Sequence, residues 1–266
     1  MSRQPRADLA SFGVVTVALS WIPWIALGVS GADVSRGAGE IVFALAAAGP
    51  SLAAVALWCR RPRDRVAPRV RPRVSWVLVA LVAGGLGPVV ASVVLAPGDI
   101  GAHASTTVAS VGGVAGVVAY TLVSGPLSEE LGWRGYLQPR VRLLVPRRWA
   151  AALVVGVAWW AWHLPLFFLP GTSQHDKGLL TVEGLCFFAS LLLLSYVALF
   201  LVERLRGGVA SAVLLHAAWN VTDALMPPTG AAGAAIQVVV MAATAAAIAA
   251  WWRRAEAAGP AVARVR

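Results

Sequence analysis

The feature that most constrains this chain is the recurrence of apolar runs of about 20 residues, the length a helix needs to cross a bilayer. Eight are read, at roughly 9–30, 40–59, 74–96, 106–128, 149–170, 179–202, 209–226 and 232–252. Of the 266 residues, 59% are hydrophobic and 13% charged, against about 25% charged in an ordinary soluble domain. One water-soluble core of this size cannot absorb that excess. The expected fold is therefore all-α: a polytopic helical membrane bundle with about eight transmembrane helices, forming one membrane-embedded domain over residues 1–266.

The charge of the chain reports its topology. Its formal net charge is +10, nearly all from arginine, since Lys177 is the only lysine. A nucleic-acid binder would gather such residues on one folded, water-facing surface. Here they lie in short blocks between apolar runs, so no nucleic-acid partner is expected. Arg3 and Arg6, the stretch "RRPRDRVAPRVRPR" from Arg60 to Arg73, the group Arg140, Arg142, Arg147 and Arg148, then Arg204 and Arg206, and finally Arg253, Arg254 and the tail all fall on one side of an eight-span arrangement. The opposite side receives only Arg36 and Lys177. The positive-inside bias then places both termini in the cytoplasm, with the 60–73 block as an anchor against anionic headgroups of the lipid bilayer. The first apolar run exceeds a signal-peptide core, so an uncleaved first span is expected. Richness in Ala, Val, Gly and Arg suggests a GC-rich bacterial genome and hence a bacterial cell membrane. Cys59 and Cys186 fall in different spans near opposite faces, so no disulfide joins them in this reading, and no metal-type cysteine spacing exists.

Ionisable residues inside a span are costly and tend to face a bundle interior, where they mark working sites. Three groups stand out. The first is Glu129-Glu130 with Arg134, in "SGPLSEELGWRGYL" from Ser124 to Leu137. On a continuous helix Glu130 and Arg134 are i,i+4 partners, whereas Glu129 points about 100° away. This makes Glu130 with Arg134 a structural brace and leaves Glu129 free. The fourth span is expected to continue as helix to about Gln138, with Gly125 and Pro126 loosening it. By itself the acidic pair also suits a helix start, where the dipole favours negative charge.

The second group is "WWAWHLPLF", which sets Trp159 and His163 four residues apart, with a distortion expected at Pro165. The third is "LLHAAWNVTD", which sets His216 and Asn220 on one face of the seventh span, with Asp223 further along it. Each alone also suits polar contacts between helices. Counted from the cytoplasmic ends, Glu129 and His216 lie about 12 Å deep and His163 about 20 Å.

Together these residues supply a carboxylate, two imidazoles and an amide from three spans. A carboxylate with histidines in a partly dry cavity suits general-base activation of water, and a second imidazole with an amide suits stabilisation of an oxyanion. That set is sufficient for amide hydrolysis. Glu129, His163 and His216 could equally bind zinc or another divalent metal with an open position, and the residues leave the metal-free and metal routes both open. Neither a G-x-S-x-G elbow nor an HExxH pair is present, which disfavours serine hydrolases and conventional zincins.

"EELGWR" resembles the E-E-x-x-x-R motif of the CPBP family of intramembrane proteases, related to the type II CAAX prenyl endopeptidases and the Abi proteins. "WWAWH" resembles that family's F-x-x-x-H motif with Trp159 in place of Phe, and "HAAWN" resembles its H-x-x-x-N motif. The resemblance covers about Ser124 to Asn220, within a motif core of about 106–226. It implies that Glu129 activates water with help from His163. It also implies that His216 and Asn220 stabilise the oxyanion, or that His216 joins a metal site. Glu130 and Arg134 would hold the helix geometry, and Trp159 would keep an aromatic packing role. The expected partner is a membrane-associated peptide or protein substrate, and the sequence leaves the oligomeric state open. Two other readings stand beside the protease: a non-proteolytic membrane protein of the same fold that confers immunity or binds a partner, and a small proton-coupled transporter. No inverted repeat supports the transporter.

Overall fold

The computed structural model describes residues 4–60 and 74–257. The arginine-rich anchor segment at 61–73, Arg3 and the tail beyond Ala257 lie outside the described residues. The chain forms α1 (Gln4–Ser30), α2 (Gly37–Ala47), α3 (Gly49–Arg60), α4 (Ser75–Leu95), α5 (Ile100–Ser110), α6 (Val114–Val123), α7 (Pro126–Glu130), α8 (Gln138–Leu144), α9 (Arg148–Trp162), α10 (Ser173–Lys177), α11 (Val182–Leu199), α12 (Gly208–Leu225) and α13 (Gly230–Ala257). A π-helical stretch, Leu131–Leu137, joins α7 to α8, and a second, Phe200–Arg204, ends α11.

Its exterior is that of a membrane protein. Val14, Ile22, Val29, Leu78 and Val94 are more than half exposed, an apolar surface that lipid solvates and water does not. The helix contacts are instead lined by small residues such as Ala53, Ala54, Ala80, Ala151 and Ala212, which let backbones approach closely where no hydrophobic driving force separates lipid from protein. Among the described residues, five helices are long and apolar enough to cross a membrane, and counting each of two bent pairs as one span gives seven. The helix α12 falls outside that set because His216, Asn220 and Asp223 dilute its apolar character, yet it packs against α4, α5, α6 and α7 at the heart of the bundle. Gly84 sets the α4–α12 approach: a β-carbon there would run into the Leu215 carbonyl oxygen, and would stand 2.8 Å from the Ala218 Cβ.

Two expected spans are broken. The run 40–59 bends by 51° between α2 and α3, where Gly49 and Pro50 open the second helix. The run 106–128 is not one helix: α5 turns by 76° against the segment that begins at Val114. Gly112 and Gly113 stand at the bend with φ of 78° and 105°, left-handed values that a side chain resists. Helix does not run evenly to Gln138 either, since Ser124 ends α6 and the π stretch follows α7. The expected distortion at Pro165 is a 3₁₀ turn, Leu164–Phe168, which begins as His163 caps α9.

Ion pairs tie several helix ends together. Arg140 meets Asp8 of α1 at 3.7 Å, Arg142 meets Glu203 at 3.0 Å, and Arg148 pairs with Glu256 of α13. The start of α1, the α8–α9 connection and the ends of α11 and α13 are therefore neighbours. Cys59 and Cys186 are both free thiols.

Candidate active site

The site is built on α7, α9 and α12. Pro126 opens α7, and the Gly125 carbonyl accepts the Glu129 backbone N–H at 2.9 Å and the Ser128 hydroxyl at 2.8 Å. This short cap fixes where the two glutamates leave the backbone. Both are buried, at 4% and 1% exposure, so each carboxylate must find its partners within the protein.

Glu130 has two. Its Oε2 lies 3.4 Å from Arg134 Nε, and its Oε1 accepts from His216 Nδ1 at 2.9 Å. The Arg134 pairing follows the i,i+4 expectation, but the contact is an ion pair without hydrogen-bond alignment. The wider π winding that carries Arg134 accounts for this looseness. Arg134 also reaches Ser195 Oγ of α11 through Nη2 at 3.4 Å and lays its guanidinium 4.5 Å from the Trp159 ring centroid.

Glu129 does not share these partners. Its Oε2 accepts the indole N–H of Trp159 at 2.5 Å. Its other oxygen, Oε1, faces Gly125. A β-carbon on Gly125 would lie 3.3 Å from Glu129 Oε1, 3.3 Å from His216 Nε2 and 3.2 Å from Asn220 Nδ2. Three functional atoms from α7 and α12 thus converge on one point, on the face of the residue that has no side chain.

His163 reaches this cluster through Trp159. Its Nδ1 donates to the Trp159 carbonyl at 2.8 Å, which leaves Nε2 with its lone pair. The ring sits among Trp159, Trp162 and Phe187, with centroid separations of 6.2, 4.7 and 5.2 Å. His216 lies 5.2 Å from the same Trp159 ring. The depth difference counted along ideal helices therefore does not part the two histidines, because α9 ends at His163 and turns aside.

The possible metal set Glu129, His163 and His216 is not assembled. Among the described residues no three His, Cys, Asp or Glu side chains are placed to hold a metal ion. One donor atom of each is already committed, to Trp159 Nε1, the Trp159 carbonyl and Glu130 respectively.

Sequence reasoning missed three contacts. The bond from His216 to Glu130 could not be read from spacing, since 86 residues separate the two. Ser195 offers one hydroxyl in a span of leucines and carries no signal. Trp159 did carry one: of the aromatic residues that could fill its position, tryptophan alone brings an indole N–H, and that group bonds the free glutamate rather than merely packing.

Residues 111–222 match the family described as type II CAAX prenyl endopeptidase Rce1-like. A protein of Methanococcus maripaludis, CAAX prenyl protease 2, is 30% identical over 117 residues, which are 42% of this chain and 41% of that protein. The chain thus spans about two fifths of the length of the curated relative it matches. The residues of the cluster, from Gly125 to Asn220, fall inside the matched segment.

Proposed function

From the match of residues 111–222 to the type II CAAX prenyl endopeptidase Rce1-like family, we propose that this chain belongs to the CPBP/CAAX proteases and is an intramembrane endopeptidase. It hydrolyses a peptide bond of a membrane-associated protein or peptide. The observation that carries this reading is the convergence of Glu129 Oε1, His216 Nε2 and Asn220 Nδ2 within 3.2–3.3 Å of one point beside Gly125. A general base and two candidate oxyanion donors there surround a single small volume.

In this mechanism Glu129 Oε1 takes a proton from water as the water oxygen attacks the scissile carbonyl carbon. The Nε2 lone pair of His163 accepts the water's other hydrogen and orients it. Asn220 Nδ2 and His216 Nε2 donate to the oxyanion that forms. Because His216 already gives its Nδ1 hydrogen to Glu130, donation from Nε2 requires the imidazolium form, whose charge, with that of Arg134, is balanced by the Glu129 and Glu130 carboxylates together. When the tetrahedral intermediate collapses, the C–N bond breaks and Glu129 returns its proton to the leaving amine. No step in this mechanism passes through a metal.

The proposed setting is a bacterial cell membrane, crossed eight times with both termini in the cytoplasm. The ion pairs that join the start of α1, the α8–α9 connection and the end of α13 support this arrangement. Both ends on one side require an even number of crossings, so α12 counts as the eighth.

The test is cleavage by the purified full chain in detergent, with and without chelator, comparing the wild type with Glu129→Gln. The substrates are a peptide library with and without a prenylated cysteine, and products are read by mass spectrometry. Glu129→Gln is expected to lose cleavage while keeping its expression and melting temperature. Wild-type turnover by that variant refutes the mechanism.

A further inference from the structure

Trp159 does more in this site than fill space. Its indole N–H donates to Glu129 Oε2 at 2.5 Å. That arrangement is not a default of buried tryptophans in this chain, since Trp58, Trp160 and Trp162 bury their indole nitrogens without a hydrogen-bond partner. Trp133 also lies against the Glu129 carboxylate, but its Nε1 lacks hydrogen-bond geometry, so the 2.5 Å bond of Trp159 is the one that fixes the group. The Trp159 ring is itself immobilised. It is 1% exposed, one face carries the Arg134 guanidinium, and its edge contacts put His216 at 72° to it.

We propose that Trp159 is a positioning residue that divides the labour of the Glu129 carboxylate. It anchors Oε2 and so presents Oε1 as the working oxygen, turned to the point shared with His216 Nε2 and Asn220 Nδ2. A carboxylate free to spin about its last torsion would offer either oxygen over a broad range of angles. Clamping one oxygen to a ring that cannot move removes that freedom before substrate arrives. The same residue orients His163 through its carbonyl, so one position on α9 sets the base and its assisting imidazole together. This inference rests on the endopeptidase reading above and adds a chemical requirement at position 159, an N–H donor, where aromatic packing alone would accept phenylalanine.

The experiment compares wild type, Glu129→Gln, Trp159→Phe and a variant with 3-benzothienylalanine at 159. That analogue keeps the bicyclic shape and replaces the N–H by sulfur. The probe is a quenched-fluorescent peptide built on a bond that the wild type cuts in the peptide library. Both variants at 159 are expected to lose kcat on the order of 10²-fold, the scale set by a misplaced catalytic group, with KM within about twofold and the wild-type melting temperature retained by the isosteric one. Wild-type kcat in the benzothienyl variant overturns the proposal, whatever Trp159→Phe does, because it would assign any loss to packing. So does a rise in KM at unchanged kcat, which would make Trp159 a substrate contact. If the wild type cleaves and Glu129→Gln does not, the endopeptidase reading stands independently of either result. If the wild type cuts nothing in the library, both readings fall.

Discussion

Replacing Arg134 by leucine should unfold this protein well before it alters any reacting group. Arg134 and Glu130 are each 1% exposed and 3.4 Å apart. Removing one member of a buried pair costs about 3–5 kcal/mol, since the other is left without its counter-ion. The guanidinium also lies over Trp159, a contact worth about 1–2 kcal/mol when shielded from water. The sum, about 4–7 kcal/mol, corresponds to a fall of about 8–28 °C in melting temperature for a chain of this size. The double variant Glu130→Leu with Arg134→Leu removes both charges, and what remains unpaired is His216 Nδ1, a loss of about 1–3 kcal/mol. It should therefore be more stable than Arg134→Leu alone, yet inactive, because nothing then orients the His216 ring. Thermal unfolding of Arg134→Leu, Glu130→Leu, the double variant and wild type in one detergent, followed by intrinsic fluorescence, completes the cycle. Arg134→Leu melting within about 2 °C of wild type, or simple additivity of the two single losses, would refute the coupling.

Gly84→Ala should destabilise the α4–α12 contact by about 1–3 kcal/mol, since the new methyl would meet the Leu215 carbonyl and stand 3.0 Å from the Trp219 nitrogen. The same variant should lose activity as His216 and Asn220 shift, while Gly101→Ala, with nothing within 4 Å, should match wild type in melting and cleavage. In the turn between α1 and α2, the Ser35 hydroxyl and backbone N–H, with Arg36, hold the Asp33 carboxyl below the usual aspartate range. A depressed folded value means that these bonds support the turn above the unfolded pKa and release it as pH falls through the folded one. A carboxyl titration by NMR should therefore give Asp33 a midpoint below that of the unfolded chain, and an ordinary midpoint would remove Asp33 from that role.

Much of the architecture was legible because bilayers impose a length and a polarity on every span. The apolar runs coincide with helices, and the charge blocks coincide with helix ends that ion pairs join. The breaks were less legible. In the sequence Gly112 and Gly113 are two more small residues of an apolar run, and only their left-handed φ values reveal the bend. In the site, spacing exposed what lies within one helix: Glu130 with Arg134, and His216 with Asn220 on one face. It could not expose contacts between α7, α9, α11 and α12, which depend on how the helices cross. The bonds from Trp159 to Glu129 and from His216 to Glu130 are of that kind, as is the meeting of three atoms beside Gly125.

The π-helical stretch from Leu131 to Leu137 makes the length of this segment part of its information. An α-helix advances about 100° per residue, and a π turn accommodates one residue more than an α turn. Deleting a single residue there would let the backbone relax into ordinary α-helix and rotate everything before it against everything after it. The glutamates would keep their neighbours in sequence and lose their neighbours in space. Exchanging a side chain in this stretch leaves that register in place, whereas changing the count of residues does not, so a graft of this segment into another bundle must carry its winding along with its letters.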